Sequence, residues 1–417
     1  MKPAYKQTEV GVIPEEWEVA RLSGLVATGP KNGYSGRSSK VARGTPTLSL
    51  GATTSGSVVL NDETVKRLEE TIDPLSDLYL MPGDVLVQRS NTPDLVGTTA
   101  VFDGPSEVYV YPDLMMRMRF RDDATAHWFW RYANSDGGRR FFVSVAAGSS
   151  GSMPKISGET LRGMRLPLPP LPEQRAIATA LSDADGLLGG LDRLIAKKRD
   201  LKQAAMQQLL TGHTRLPGFH GEWEIASLEQ LVVRATGFWG VQSLDDGHPK
   251  SADIIRAGDI SPDGQLTSTA SRFLSDSEFS KAQCRLDDLV ITTSGNGLGK
   301  VWWCDGRANV AASNFVRVLR PIRSKAQGRF VSYVLRSDDA LRQLQEHTAT
   351  SAYPNLRPTF FSAHWIALPP LPEQTAIAEV LTEMDAELAG LEQRREKTRA
   401  LKQAMMQELL TGRTRLT

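Results

Sequence analysis

The sequence predicts a mixed α/β chain in which two globular domains alternate with two long helices. Three observations carry this expectation. The heptapeptide "LPPLPEQ" occurs at Leu168–Gln174 and again at Leu368–Gln374, 200 positions later. Residues 168–216 align with 368–416 without a gap, and 30 of the 49 positions are identical. The stretches between the repeats are unlike each other, but both are β-rich segments broken by Gly, Pro, Ser and Asn. A repeat sought first sets the frame for everything else. The expected domains are 1–165 and 217–365, with helical segments 166–216 and 366–417.

Each repeated segment carries helix signals at both ends. Pro172 and Pro372 suit the first helical position, where a missing N–H costs nothing. Glu173 and Glu373 follow in the first turn, where a carboxylate favours the helix dipole. Gly212 and Gly412 lie just past the last apolar pair, as a left-handed cap. The span between is roughly 57 Å at 1.5 Å per residue, a length typical of coiled coils. Leu181, Ala184, Leu188, Leu191 and Ile195 step by three and four, as do Leu381, Met384, Leu388 and Leu391. Lys198, Lys202, Arg395 and Lys402 then fall where apolar residues should continue. Two helices packed on each other are expected, with a polar middle that is solvated or docks a partner. A polyproline ligand is the alternative reading of "PLPPLPEQ"; the helix start that follows both copies favours a stiff lead-in instead.

The first globule offers the strand patterns "GSVVL", "DVLVQ", "TTAVF" and "EVYVY" and the helix "DATAHWFWRYANS". The second offers "DLVITT", "KVWWC" and "FVRVLR" and one helix over "QGRFVSYVLRSDDALRQLQ". Trp128, Phe129 and Trp130 read as core. "EWEVARL" (Glu16 to Leu22) is echoed by "EWEIASL" (Glu222 to Leu228), and "GDVLVQRSN" by "DDLVITTSG". Polar loops stand out at "GPKNGYSGRSSK" (Gly29 to Lys40), at "VQRSN" (Val87 to Asn91) and at "ITTSGNG" (Ile291 to Gly297). Arg, Asn, Gln, Ser and Thr are the side chains that read base edges, although a solvated loop needs the same residues.

Composition narrows the functional classes. No apolar stretch approaches the ~20 residues of a membrane span, and the N-terminal segment lacks an apolar signal core. Two cysteines, Cys284 and Cys304, form no CxxC pair, which suits a reducing cytoplasm. Six scattered histidines show no metal-ligand spacing. The net charge is +1, and residues 1–165 and 217–365 are each balanced, with 19 and 16 charges of either sign. Bulk charge therefore does not grip nucleic acid; local patches or a partner must supply phosphate contacts. "LPPLP" lacks the polar residue of an [ND]PP[YFW] methyltransferase motif. "SGNGLGKV" lacks the first glycine and the final Ser/Thr of a phosphate loop, and "GSSGS" is not G-x-S-x-G. No catalytic constellation emerges.

Two unlike globules, each followed by a like helix opening "PPLPEQ" and closing "LLTG", resemble the specificity (S) subunit of type I restriction–modification systems. The resemblance covers the whole chain and rests on "TEVGVIPEEWEV", "LPPLPEQRAIA", "LPPLPEQTAIA" and "LKQAMMQELLTG". It implies two target recognition domains that read the halves of an asymmetric, bipartite DNA sequence. It implies that the helices pair antiparallel, act as a spacer and dock two methyltransferase subunits, with two motor-nuclease subunits beyond. It implies a cytoplasmic, non-catalytic subunit without its own cofactor: S-adenosylmethionine, ATP and Mg would sit on the partners. The DNA-reading candidates are Lys31, Asn32, Tyr34, Arg37, Lys40, Gln88, Arg89, Ser90, Asn91, Thr292, Thr293, Ser294 and Asn296. Lys155 and Asn355, at equivalent points before the helices, are candidates for phosphate contact. The candidate docking residues are Glu173, Gln174, Leu188 and Leu191, with Glu373, Gln374, Leu388 and Leu391. The competing expectation is a coiled-coil scaffold or adaptor that binds protein rather than DNA.

Overall fold

The structure is a computed structural model that describes residues 4–39, 41, 43–146, 153–237, 251–273, 276–295, 297–349 and 354–416. The chain forms two compact units. One comprises residues 1–192 with 394–417, the other residues 193–393. The helix Leu171–Leu209 and the helix Leu371–Leu409, 39 residues each, are both divided between the units.

The first unit is built on an antiparallel sheet of β1 (Val26–Asn32), β2 (Val85–Gln88), β3 (Thr99–Val101) and β4 (Met115–Phe120), in the order β1-β4-β2-β3. All four residues of β2 are buried, as a central strand covered on both faces requires. On one face Val85, Val87, Met116 and Met118 pack with Trp128 and Phe129 of the helix Asp123–Ala133. On the other, Leu86 and Met115 pack with Leu48, Leu80, Phe102 and Tyr111. "GSVVL" is not a strand, and "EVYVY" contributes only a bridge at Val110. The central strand β4, "MMRMRF", was not anticipated because it lacks the β-branched residues that mark strands.

The second unit repeats this plan with β5 (Val232–Thr236), β6 (Leu289–Thr292), β7 (Val301–Trp303) and β8 (Val316–Pro321), in the order β5-β8-β6-β7. The two sheets share an ion pair to a buried carboxylate at the same place. Asp84 just before β2 accepts from Arg119 Nε at 2.7 Å, and Asp288 just before β6 accepts from Arg320 Nε at 3.0 Å. The segment expected as one helix breaks at Ser337 into Gly328–Leu335 and Asp338–Glu346. The Ser337 hydroxyl caps the second piece by accepting from Ala340 N. Cys284 and Cys304 are both buried, and burial raises both thiols above their ordinary range, which makes them poor nucleophiles.

The duplicated motif forms the same joint in each unit. In the second, Glu373 is fully buried and accepts from Trp223 Nε1 at 3.1 Å and from Arg215 at 2.5 and 2.6 Å. In the first, Glu173 accepts from Trp17 Nε1 at 2.9 Å and from Arg415 at 2.6 and 2.8 Å. The hydrogen bond to the carboxylate raises the pKa of each guanidinium. Gln174 and Gln374 each donate to the carbonyl of the proline five residues earlier, at 2.8 Å, and so fasten the lead-in to the helix. Arg215 and Trp223 lie near each other in sequence, whereas Trp17 and Arg415 come from opposite ends of the chain. The first unit is thus a cyclic permutation of the second. Gly212 and Gly412, both at φ +71°, turn the chain out of the helix toward this joint.

Within each unit the helical segments run antiparallel. In the second, Lys198 pairs with Glu387 at 2.6 Å, and Lys202 pairs with Asp385. In the first, Asp185 pairs with Lys402 at 2.5 Å and Asp192 with Arg395 at 3.4 Å. The cations that interrupt the apolar register are therefore not simply solvated; each meets a carboxylate on the opposite helix. The globules join the same pairs: Arg131 donates to Asp185, and Tyr333 Oη donates to Asp385 at 2.8 Å.

Candidate nucleic-acid interface

In the first unit, β1 runs into "KNGY", and the chain crosses close over the segment before β4. A Cβ on Gly33 would lie 2.0 Å from the Tyr111 carbonyl, so only glycine permits the crossing. Lys31 is ion-paired with Asp77, and both are exposed. Asn32 is exposed. The Tyr34 hydroxyl is hydrogen-bonded to Glu70, which raises its pKa. Arg37 is exposed. Lys40 lies outside the described residues.

The loop after β2 corrects two expectations. Gln88 is fully buried; its amide donates to Leu50 O at 3.0 Å and Thr53 Oγ1 at 2.9 Å, and its carbonyl accepts from Asn91 Nδ2 at 2.6 Å. Ser90 is buried as well. A polar side chain at the end of a central strand is better placed to tie its own loop than to reach outward, and Gln88 does so; the buried Ser90 hydroxyl has no hydrogen-bond partner among the described residues. Asn91 is half-buried and spends its carbonyl on Thr92 N at 2.7 Å. Arg89 is half-buried, with one long contact of 3.5 Å to the Asp113 carbonyl. The backbone of Ser90 bridges to that of Lys155, whose side chain is exposed, so these two distant candidates meet.

The second unit repeats the bridge, between Ser294 and Asn355. Here the candidates line a cavity of about 830 Å³ that holds Thr293, Ser294 and Asn355 together with Arg234, Asn314, Phe315 and Arg317. The last four were missed by sequence reasoning. "SNFVRV" reads as a strand, and the pattern does not show that its polar residues lie at the end of the sheet. Thr292 is fully buried, because it continues the buried run of β6, and is withdrawn as a base reader. Thr293 Oγ1 donates to Phe315 O at 3.3 Å. Asn296 lies outside the described residues.

On the helices, Glu173, Gln174, Glu373 and Gln374 are 0–3% exposed and serve the internal joints described above, so they are not docking residues. Leu191 is buried, and Leu188, Leu388 and Leu391 are half-buried. The exposed apolar positions are others. Leu201 and Leu401, equivalent in the repeat, are 47% and 61% exposed.

Residues 221–399 match the family described as type I restriction modification DNA specificity domain. The chain is 22% identical to the MjaX type I restriction enzyme specificity subunit of Methanocaldococcus jannaschii, covering 99% of this chain and 97% of that one. It is 25% identical to the EcoKI specificity subunit of Escherichia coli over 45% of this chain and 41% of that one. A crystal structure of the S subunit from M. genitalium superposes with a TM-score of 0.60 at 14% identity, covering 98% of this chain and 99% of that one. A chain from a study of type I R-M complex assembly and conformational transition superposes at 0.55 and 17% identity, with coverage of 96% and 99%. Among the described residues no helix is long and apolar enough to cross a membrane. Residues 221–399 thus match the type I restriction modification DNA specificity domain, and the chain is similar along nearly its whole length to a type I restriction enzyme specificity subunit.

Proposed function

We propose that this chain is the non-catalytic reading subunit of a cytoplasmic type I complex, and that its two globules read the unlike halves of a bipartite duplex target. One observation carries the proposal. The two units share a sheet topology and an equivalent bridged loop, but present different side chains there. The first offers Arg89, Lys155 and the carboxylate of Asp113; the second offers Thr293, Asn355, Asn314 and Arg317. Two equivalent scaffolds with dissimilar contact groups suit an asymmetric two-part sequence.

The repeated helices would dock two adenine-N6 methyltransferase subunits, with motor-nuclease subunits beyond. Leu201 and Leu401 offer matched apolar contacts for such partners. S-adenosylmethionine, ATP and Mg would belong to those subunits. Near-neutral charge in both globules suits a reader whose grip on phosphate is shared with a partner.

The test is selection of duplexes from a random pool by the chain assembled with its methyltransferase subunit. The expected product is a motif of two fixed blocks separated by a gap of constant length. A pool with no enriched sequence would reject the proposal in favour of a protein-binding adaptor.

A further inference from the structure

One sheet position separates the two units. In β8, Arg317 pairs with Ile291 and Leu319 pairs with Leu289. Directly opposed residues of an antiparallel pair share a face, so Arg317 projects on the side of Ile291, Leu289 and Leu319. Those three are fully buried under Phe330 and Phe361. At the equivalent place in the first unit Met116 pairs with Val87, and both are fully buried. The first unit closes this position with a thioether; the second sets a half-buried guanidinium there.

The Arg317 side chain has no hydrogen bond or ion pair among the described residues. It lines the 830 Å³ cavity with Asn314, Asn355, Ser294 and Arg234, and no carboxylate is among the described lining residues. The charge of Arg234 is already engaged by Glu229 at 2.9 Å, and its guanidinium stacks 5.0 Å from the Phe361 ring centre. A cation partly withdrawn from water without an acceptor is costly unless something supplies one. Here the described lining side chains carry no negative charge, so the partner the site lacks is an anion. The site is a recess. A base edge sits at the floor of a groove and is reached by a projecting side chain, whereas the sugar–phosphate strand is a ridge that fits a recess.

Resting on the reading of the chain as a DNA-binding subunit, we infer that this cavity seats a backbone phosphate of the half-site bound by the second unit. Arg317 makes the charged contact, with Ser294, Asn314 and Asn355 as neutral donors around it. The contact fixes the position of the globule on the duplex without reading sequence.

The test is Arg317→Met, which copies the first unit, with Arg317→Lys beside it, both measured in the complex with the methyltransferase subunit. Arg317→Met is expected to leave thermal stability unchanged or raise it. It should weaken duplex binding on the order of tenfold for cognate and unrelated sequences alike, and reduce the slope of log K against log[salt] by about 1. Arg317→Lys should retain the wild-type slope. Relaxed discrimination at one base position with an unchanged slope would overturn the inference in favour of base reading. A fall in melting temperature with unchanged DNA affinity would make Arg317 structural and overturn it as well. If the wild-type complex itself shows no DNA affinity, the functional reading fails and the inference falls with it; variants indistinguishable from a wild type that does bind overturn the inference alone.

Discussion

Glu373→Ala is expected to destabilise the second unit by about 3–5 kcal/mol. The carboxylate is fully buried and is the shared acceptor for Trp223 and for both prongs of the Arg215 guanidinium. Removing it strands a cation and an indole N–H together. The Arg215 side chain keeps 24% exposure, so water recovers part of the loss and the lower end of the range is expected. Glu173→Ala should act on the first unit to the same degree, because Arg415 and Trp17 occupy the equivalent places. Arg415→Ala should then add little to Glu173→Ala, since contacting residues of one network are not additive. Chemical denaturation of the single and double variants measures this. Independent, additive losses from positions 173 and 415 would show that Glu173 and Arg415 do not share a joint.

Asp385→Ala is expected to cost about 3 kcal/mol, whereas the double replacement Lys202→Met with Asp385→Leu should be nearly neutral or stabilising. Lys202 and Asp385 are only 12% and 15% exposed, so each is held by the other rather than by water. Breaking the pair leaves one charge uncompensated. Replacing both continues the apolar register that Leu381 and Ile195 begin. The Tyr333 hydroxyl would lose Asp385 but keep Thr382 at 3.1 Å. A double variant that loses as much as the sum of the singles would show that the pair contributes net stability. Retaining such a pair at that cost fits a role in fixing the direction and register of the helices, a task that apolar residues perform less exclusively.

The repeated helices were legible in the sequence because helix signals are local: a proline at the start, a glycine at the end, and apolar steps of three and four. The role of Glu173 and Glu373 was not. A first-turn carboxylate reads as a dipole partner, and nothing nearby announces that Arg415 will reach it from 242 positions away. The cations in the register misled for the same reason, since Lys202 meets Asp385, which is distant in sequence and adjacent in space. In the candidate site, the sequence marks polar loops at strand ends, but their orientation was hidden. Gln88 and Thr292 end central strands, and pattern alone does not tell the last inward residue from the first outward one. Arg317 was invisible because one arginine within an apolar strand gives no sign that its end of the sheet lies open.

The central claim is that one chain reads two unlike half-sites, and the most direct measurement is the adenine methylome of cells with and without this gene. The account expects a single asymmetric motif, two blocks around a gap of fixed length, methylated in the parent and unmethylated in the deletion. An unchanged methylome, or loss of a continuous or palindromic motif instead, would contradict it.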